Sequence, residues 1–370
     1  MSVTIRKWDP PEDECKGVDK EQSSDEQWSL TRELETMIAS TPEHLAEMKR
    51  QATESIFVLP EIAISGQITI INASPNAGKT LLTCWLLSQR DQQARETLKT
   101  YFINADDTFD GGRFKGEFMR GYEIETLIPE QRGFSTDKFK MILEKSISTK
   151  SARGVVFILD TLKKFVDMMD KTAARSTNDL LRKFVQAGGT IIALAHVNKN
   201  KDGNGSSVAE GVGDFQNDFD AAYTIEVAGD SESGTRTVIF KNTKSRGPNR
   251  KKVTFTYSNS EKATWEQRFK SVQCLDSEEA ARSFAKIEAE THYSEDKPVI
   301  EYICKRLKAG ELSRRDIAQN DLINEFSRSR REKVLDRYSD AIHDEHPIYW
   351  RVIRGETGGS KYRLESIPSL

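Results

Sequence analysis

The 370-residue sequence predicts an α/β protein in which helices cover a mostly parallel central sheet, followed by a small C-terminal unit with a winged-helix-like pattern. Three observations predict it. Short apolar runs at 68–72, 100–104, 155–160 and 190–196 alternate with helical stretches at 79–90, 135–148 and 172–187. Further runs at 222–227, 237–241 and 252–257 follow one another without helices between them, as antiparallel strands do. Near the end, short helices precede IYWRVIRGETGGSKYRL at 348–364, two strands joined by a Gly-rich tip, with Trp350 and Val352 set against Tyr362 and Leu364.

Taken in chain order, residues 1–28 read as a flexible polar arm, with Pro10 and Pro11 followed by Glu12, Asp13 and Glu14. Residues 29–55 read as helices: Leu30, Leu34, Met37 and Ile38 keep helical spacing, and a second start falls at Pro42. The α/β pattern occupies 56–257, a charged linker 258–294, and the small unit 295–370. The net charge of -3, with 31% charged and 36% hydrophobic residues, does not advertise a nucleic-acid binder, although local basic patches act inside near-neutral chains. No run of about 18 apolar residues predicts a membrane span. MSVTIRKWDPPEDEC lacks the apolar centre of a signal peptide. Cys15, Cys84, Cys274 and Cys304 have no paired spacing, which fits a reducing, cytoplasmic setting and argues against a cysteine-based zinc module. His343 and His346 lie three apart without cysteine ligands nearby and are read as no metal site.

The most informative stretch is TIINASPNAGKTLLTCWLL, residues 69–87, which passes from a β-prone run through a small-residue turn into a helix. Ala73, Ser74, Pro75, Asn76, Ala77, Gly78, Lys79 and Thr80 match the phosphate-loop pattern except at Ala73, where the pattern has glycine. In such a loop, backbone N–H groups and the following helix N-terminus surround a β-phosphate. Lys79 would reach the β- and γ-phosphates of ATP, and Thr80 would place its hydroxyl on Mg2+. A second acid supports this: GVVFILDT, residues 154–161, ends a buried-looking strand in Asp160, at the sheet end where ligands of open α/β sheets bind. Asp160 is the second candidate magnesium residue, acting directly or through water.

Two aspartates, Asp106 and Asp107, follow the strand at 100–104 directly. Asp106 is the first choice for the residue that activates water, with Asp107 second. Arg113 and Lys115 behind them are either structural or phosphate contacts. The fourth strand ends in His196, the only histidine of the α/β region, placed to sense a γ-phosphate. Beyond it, Lys199 and Lys201 open a Gly- and Ser-rich loop that is either a contact to a polyanion such as DNA or a plain surface turn. Six basic residues fall within 241–252; among them Lys244 and Arg246 would reach a neighbouring subunit's γ-phosphate, with Lys241 as a competitor. In the C-terminal unit, Arg328, Arg330, Arg331 and Lys333 line one predicted helix and Lys361 and Arg363 the hairpin, as contacts to duplex DNA. Residues 291–370 hold 15 basic and 14 acidic residues, so the field is weak and protein docking is the competing use.

The order of parts over roughly 50–260 resembles the RecA-like core of the hexameric replicative helicases, especially plasmid-type replication helicases and related phage and mobile-element ATPases. The parts are GQITIINASPNAGKT, YFINADD, VVFILDT, TIIALAHVNK, GSSVAEGVGDF and FKNTKSRG. The resemblance implies an ATP-fuelled homo-oligomeric ring, usually of six subunits, with DNA in its channel. It implies an acid after the second strand as water activator, hence Asp106, although the family usually has glutamate there. It implies a γ-phosphate sensor at His196 and a trans-acting pair at Lys244 and Arg246. The expected function is ATP hydrolysis coupled to translocation or unwinding. The alternative is a regulatory or loader ATPase that binds duplex DNA or a partner protein through its C-terminal unit.

Overall fold

The computed structural model describes residues 34, 37, 40–43, 45–46, 56–166, 171–201, 207–209, 218–318, 326–340, 347–354 and 360–365, the side chains of 171, 197–201 and 207–209 excepted. The arm at 1–28, most of 29–55, the loop at 202–206 and 210–217, His343, His346 and the hairpin tip lie outside the described residues. The chain divides into two units, Met1–Glu54 and Ser55–Leu370. In the first, Leu34, Pro42, Glu43, Leu45 and Ala46 are helical.

The second unit opens with a small antiparallel pair, β1 (Phe57–Leu59) and β2 (Ala63–Ile64). Then β3 (Ile68–Ala73), α1 (Lys79–Ser88), α2 (Gln92–Thr97), β4 (Lys99–Asn104), α3 (Phe109–Arg120), β5 (Ile124–Leu127), α4 (Thr136–Ser148) and β6 (Val155–Asp160) follow. A short 3-10 turn at Leu162–Lys164 precedes α5 (Lys171–Gln186), β7 (Thr190–Lys201) and β8 (Ser207–Ala209). The sheet closes with β9 (Ala221–Asp230), β10 (Thr235–Ser245) and β11 (Lys252–Ser258), then α6 (Trp265–Lys270) and β12 (Gln273–Leu275). Its strand order is β12-β11-β10-β9-β3-β7-β6-β4-β5, with β8 paired to β7. The pairings from β9 across to β5 are parallel, and those among β9, β10, β11 and β12 are antiparallel.

A parallel sheet must be covered on both faces, and the strand residues alternate accordingly. Ile71 and Ala73 of β3 join Leu82, Leu86 and Leu87 of α1, Met119 of α3 and Phe269 of α6 in one core. Ile68 and Ile70 join Phe139 and Leu143 of α4 and Leu181 and Phe184 of α5 in the other. Hence β4 leads to a helix on one face, whereas its neighbour β6 leads to a helix on the opposite face. That divergence opens a crevice at the carboxyl ends of the strands, the usual ligand position in open α/β sheets.

The interval 258–294 is not a linker. It supplies α6, the edge strand β12 and the first half of α7 (Ser277–Leu307), which starts at an Asp276–Glu279 capping box. That half packs on the sheet: a Cβ at Gly229 of β9 would meet Ile287 at 2.5 Å. High charge along α7 gives the composition of a linker to what is a sheet-packed helix.

The rest of α7 enters a third core with β13 (Leu312–Ser313), α8 (Arg314–Ala318), α9 (Arg328–Arg337), β14 (Trp350–Arg354) and β15 (Ser360–Leu364). The strands pair in the order β13-β15-β14. Trp350 stands opposite Leu364 and Val352 opposite Tyr362, the register expected from the alternation. Among the described residues, no helix is long and apolar enough to cross a membrane.

Candidate functional site

The loop between β3 and α1 turns through Asn76 and Gly78, both at positive φ, 62° and 81°. Ala73 ends β3 outside the positive-φ region, so the methyl group that departs from the glycine pattern is accommodated without strain. Gly78 has a further reason to lack a side chain, since a Cβ there would lie 2.6 Å from Tyr257 Oη. Gly78 also caps α1 without any side-chain acceptor for the first-turn amides. Those N–H groups and the positive end of the helix dipole face the space above the loop.

Lys79 is 6% exposed, yet its Nζ makes no hydrogen bond. Asp160 Oδ1 lies 3.7 Å away, an ion pair beyond hydrogen-bond reach. Burial lowers the Lys79 pKa, while Asp160 and Asp106 oppose the shift. A buried ammonium with unused donors fits a polyphosphate, which would supply the missing acceptors. The Thr80 hydroxyl donates to Asp160 Oδ2 at 2.7 Å, which joins two hard oxygen ligands at the foot of the loop. Among the described residues no three His, Cys, Asp or Glu side chains gather as a metal cage. Magnesium does not require one, because it is held by one or two protein oxygens together with substrate phosphates and water. The residues therefore fit Mg2+ at Thr80 and Asp160.

The pairing of Asn104 with Asp160 brings the ends of β4 and β6 level, and Ala105 N–H donates to the Asp160 carbonyl at 2.7 Å. The two candidate aspartates then part company. Asp107 binds Lys115 Nζ at 2.6 Å and accepts from Asn104 Nδ2 at 2.8 Å. Asp106 instead lies 3.5 Å from His196 Nε2, and its charge is felt at Lys79. Asp106 thus shares the crevice with Lys79 and His196, whereas Asp107 braces the start of α3. Lys115 is its brace, and Arg113 pairs with Glu117 on the exposed face of α3. His196 is held below its ordinary pKa by burial first and Lys79 second, against the pull of Asp106. Its Nδ1 is buried without a partner.

Lys244 and Arg246 sit at the amino end of β3, opposite the 73–80 loop, because β10 runs antiparallel to β9. Arg246 pairs there with Asp220 at 3.1 Å, and Lys241 pairs with Glu226 at 3.5 Å. Any role of Lys244 or Arg246 at a phosphate is therefore not toward the chain's own loop. Lys199 and Lys201 belong to β7 by backbone, and their side chains lie outside the described residues.

In the C-terminal unit, Arg331 is a correction. It is 1% exposed, donates to the Ala318 carbonyl at 3.0 Å and lies over the Tyr302 ring, so it is a core residue with no surface for DNA. Arg328, Arg330 and Lys333 are exposed on α9, and Lys361 and Arg363 flank buried Tyr362 on β15. Arg328 pairs with Glu332, Arg330 donates to the Glu295 carbonyl and Arg363 pairs with Glu311.

Sequence reasoning missed the tie on the other side of the 73–80 loop. Arg236 donates to the Asn76 carbonyl at 2.9 Å and is gripped by Asp230 through two contacts of 2.6 Å. Arg236 and Asn76 are 160 residues apart, so no local pattern announces the pair. No protein-family model matches the chain, and the search of curated proteins likewise gave no match.

Proposed function

We propose that the chain is an ATPase with a RecA-like phosphate-loop core that couples hydrolysis to translocation along, or unwinding of, single-stranded DNA. The setting is replication of a plasmid, phage or mobile element, and the working form is a homo-oligomeric ring. The observation that carries the reading is the buried, hydrogen-bond-free Lys79 Nζ beside the 2.7 Å Thr80–Asp160 pair. Few arrangements leave an ammonium so poorly served unless an anion completes it.

On this reading Lys79 and the first-turn amides of α1 hold the β- and γ-phosphates. Thr80 and Asp160 would hold Mg2+, which when bound neutralises charge building on the β- and γ-oxygens. Asp106 orients the attacking water and accepts its proton, a contribution of about 10²–10⁴ in rate for a positioned base. His196, whose pKa burial and then Lys79 lower, stands 3.5 Å from Asp106 and would hold that carboxylate toward the water. Lys244 and Arg246 are assigned to a neighbour's γ-phosphate, in keeping with their distance from their own loop. The helix–strand–helix–helix–strand–strand order of 295–364 supports a winged-helix-like unit.

A second reading rests on the ion pairs of that unit. With Arg328, Arg330 and Arg363 partnered inside the chain and Arg331 buried, the surface suits a loader or regulator that docks a protein. The deciding experiment is the steady-state ATPase rate in magnesium at low salt, with and without single-stranded DNA. Strong stimulation supports the translocating ring. Basal turnover indifferent to single strands supports the loader, and absence of turnover overturns both.

A further inference from the structure

A cleft of about 420 Å³ opens against the phosphate loop on the side away from Asp160. Asn76 and Gly78 form its floor, Tyr257 and Trp265 its aromatic walls, and Asn259 and Glu261 line it as well. The volume falls within the range of small-ligand sites, which are mostly apolar with a few polar groups.

Three features make this a built site. Tyr257 is 2% exposed, and its buried Oη, though beside the Arg236 guanidinium, makes no hydrogen bond of normal geometry. Arg268 also lines the cleft; one end donates to the Ser260 carbonyl at 2.9 Å, while its buried Nε has no partner. Trp265 is locked by other rings: it stacks on Phe269 at 5.4 Å and meets Phe118 and Phe114 edge-on at 5.1 and 5.9 Å. A ring fixed in advance stacks on a planar ligand with little loss of side-chain freedom.

We propose that this cleft takes the base of the bound nucleotide, stacked against Trp265 beside Tyr257, with Arg236 as the residue that positions the loop beneath it. The proposal rests on the phosphate-loop reading and adds the other half of the substrate. Arg236 joins the two halves. It ties the loop carbonyl of Asn76 to Asp230 and lines the cleft itself. Asn259 donates to Asp230 Oδ2 at 3.2 Å, so the tie extends along the cleft edge.

The test is calorimetric titration of the full-length protein in magnesium with two probes, ATP and inorganic tripolyphosphate, which lacks a base. Base–aromatic stacking of about 1–3 kcal/mol corresponds to roughly 5–150-fold in affinity. Trp265→Leu should weaken ATP binding about tenfold or more and leave tripolyphosphate unchanged, with Trp265→Phe recovering most of the loss. Equal loss on both probes, or no loss on ATP, overturns the base site while the phosphate reading stands. If the wild-type protein binds neither probe, the phosphate reading itself fails and takes the base site with it. A readout that needs no substitution is photolabelling with an ATP analogue carrying an azide on its base. Label displaced by ATP should map to 257–268, and displaceable label confined to any other segment overturns the proposal.

Discussion

At the carboxyl end of the sheet, Lys79 Nζ stands 3.7 Å from Asp160 with no hydrogen bond, and His196 Nδ1 is likewise unserved. At the amino end, the equally buried Asp220 accepts from Ile68 N–H at 2.9 Å, Arg182 at 2.8 Å and Arg246 at 3.1 Å. Both ends bury charge, yet one is left short of partners and the other is saturated. A saturated carboxylate such as Asp220 needs nothing from outside the chain, even where one of its partners, Arg246, is also exposed. An unsaturated cluster costs stability until something supplies what is missing, so the difference separates an end short of partners from one that is complete.

The largest effects should come from substitutions that break the contrast from each side. Lys79→Met replaces a buried ammonium by an apolar chain of similar length. ATP turnover should fall by about 10²–10³-fold or more, as when a group that stabilises developing charge is removed. The folded state should hold or gain about 1 kcal/mol, because a poorly paired buried cation is gone. Asp220→Ala should do the reverse, losing about 3 kcal/mol by stranding Arg182 and the Ile68 amide while nucleotide affinity persists. Urea unfolding and nucleotide titration on both variants check this. Loss of stability in Lys79→Met comparable to that in Asp220→Ala would erase the distinction between the ends.

The adjacent aspartates sharpen the same contrast on a smaller scale. Asp106→Asn should keep ATP binding and lose hydrolysis by about 10²–10⁴-fold. Asp107→Asn should slow turnover far less, but weaken the hold on Lys115 and Asn104 at a cost of about 1 kcal/mol. Single-turnover rates beside thermal melts separate the two, and a turnover loss in Asp107→Asn as deep as in Asp106→Asn would reassign the role.

What the sequence revealed of this arrangement follows from how each part is encoded. The loop at 73–80 is contiguous, so its place between a buried strand and a helix that starts at Lys79 could be read directly. Asp160 was legible because an apolar run that stops at an acid marks a buried strand emerging at its carboxyl end, where ligands of such sheets bind. The choice between Asp106 and Asp107 was not legible, since it depends on which of them Lys115 and Asn104 engage. Arg331 misled because its helix is basic on paper; only the fold brings the Ala318 carbonyl and Tyr302 to it. Strand β5 has four residues and β12 three, too few to set up a period, so the sheet extends further than the pattern suggested.

The smallest expected effect lies at His196, where protonation would report whether the unsaturated end is filled. Burial and Lys79 lower its pKa from 6.5, so between the lowered value and 6.5 the folded chain binds fewer protons than the unfolded one. The His196 contribution to stability therefore rises with pH through that window and falls on acidification. His196→Asn, which cannot titrate, should flatten part of the pH dependence of the urea midpoint below pH 6.5. A bound nucleotide adds negative charge beside Lys79, offsetting the cation that depresses the imidazole, so the His196 pKa should rise on binding a non-hydrolysable ATP analogue. Proton NMR of the imidazole, assigned by its loss in His196→Asn, measures the shift directly. A shift in the opposite direction, or none, would mean that the phosphates settle elsewhere and that the unsaturated end of the sheet serves some other ligand.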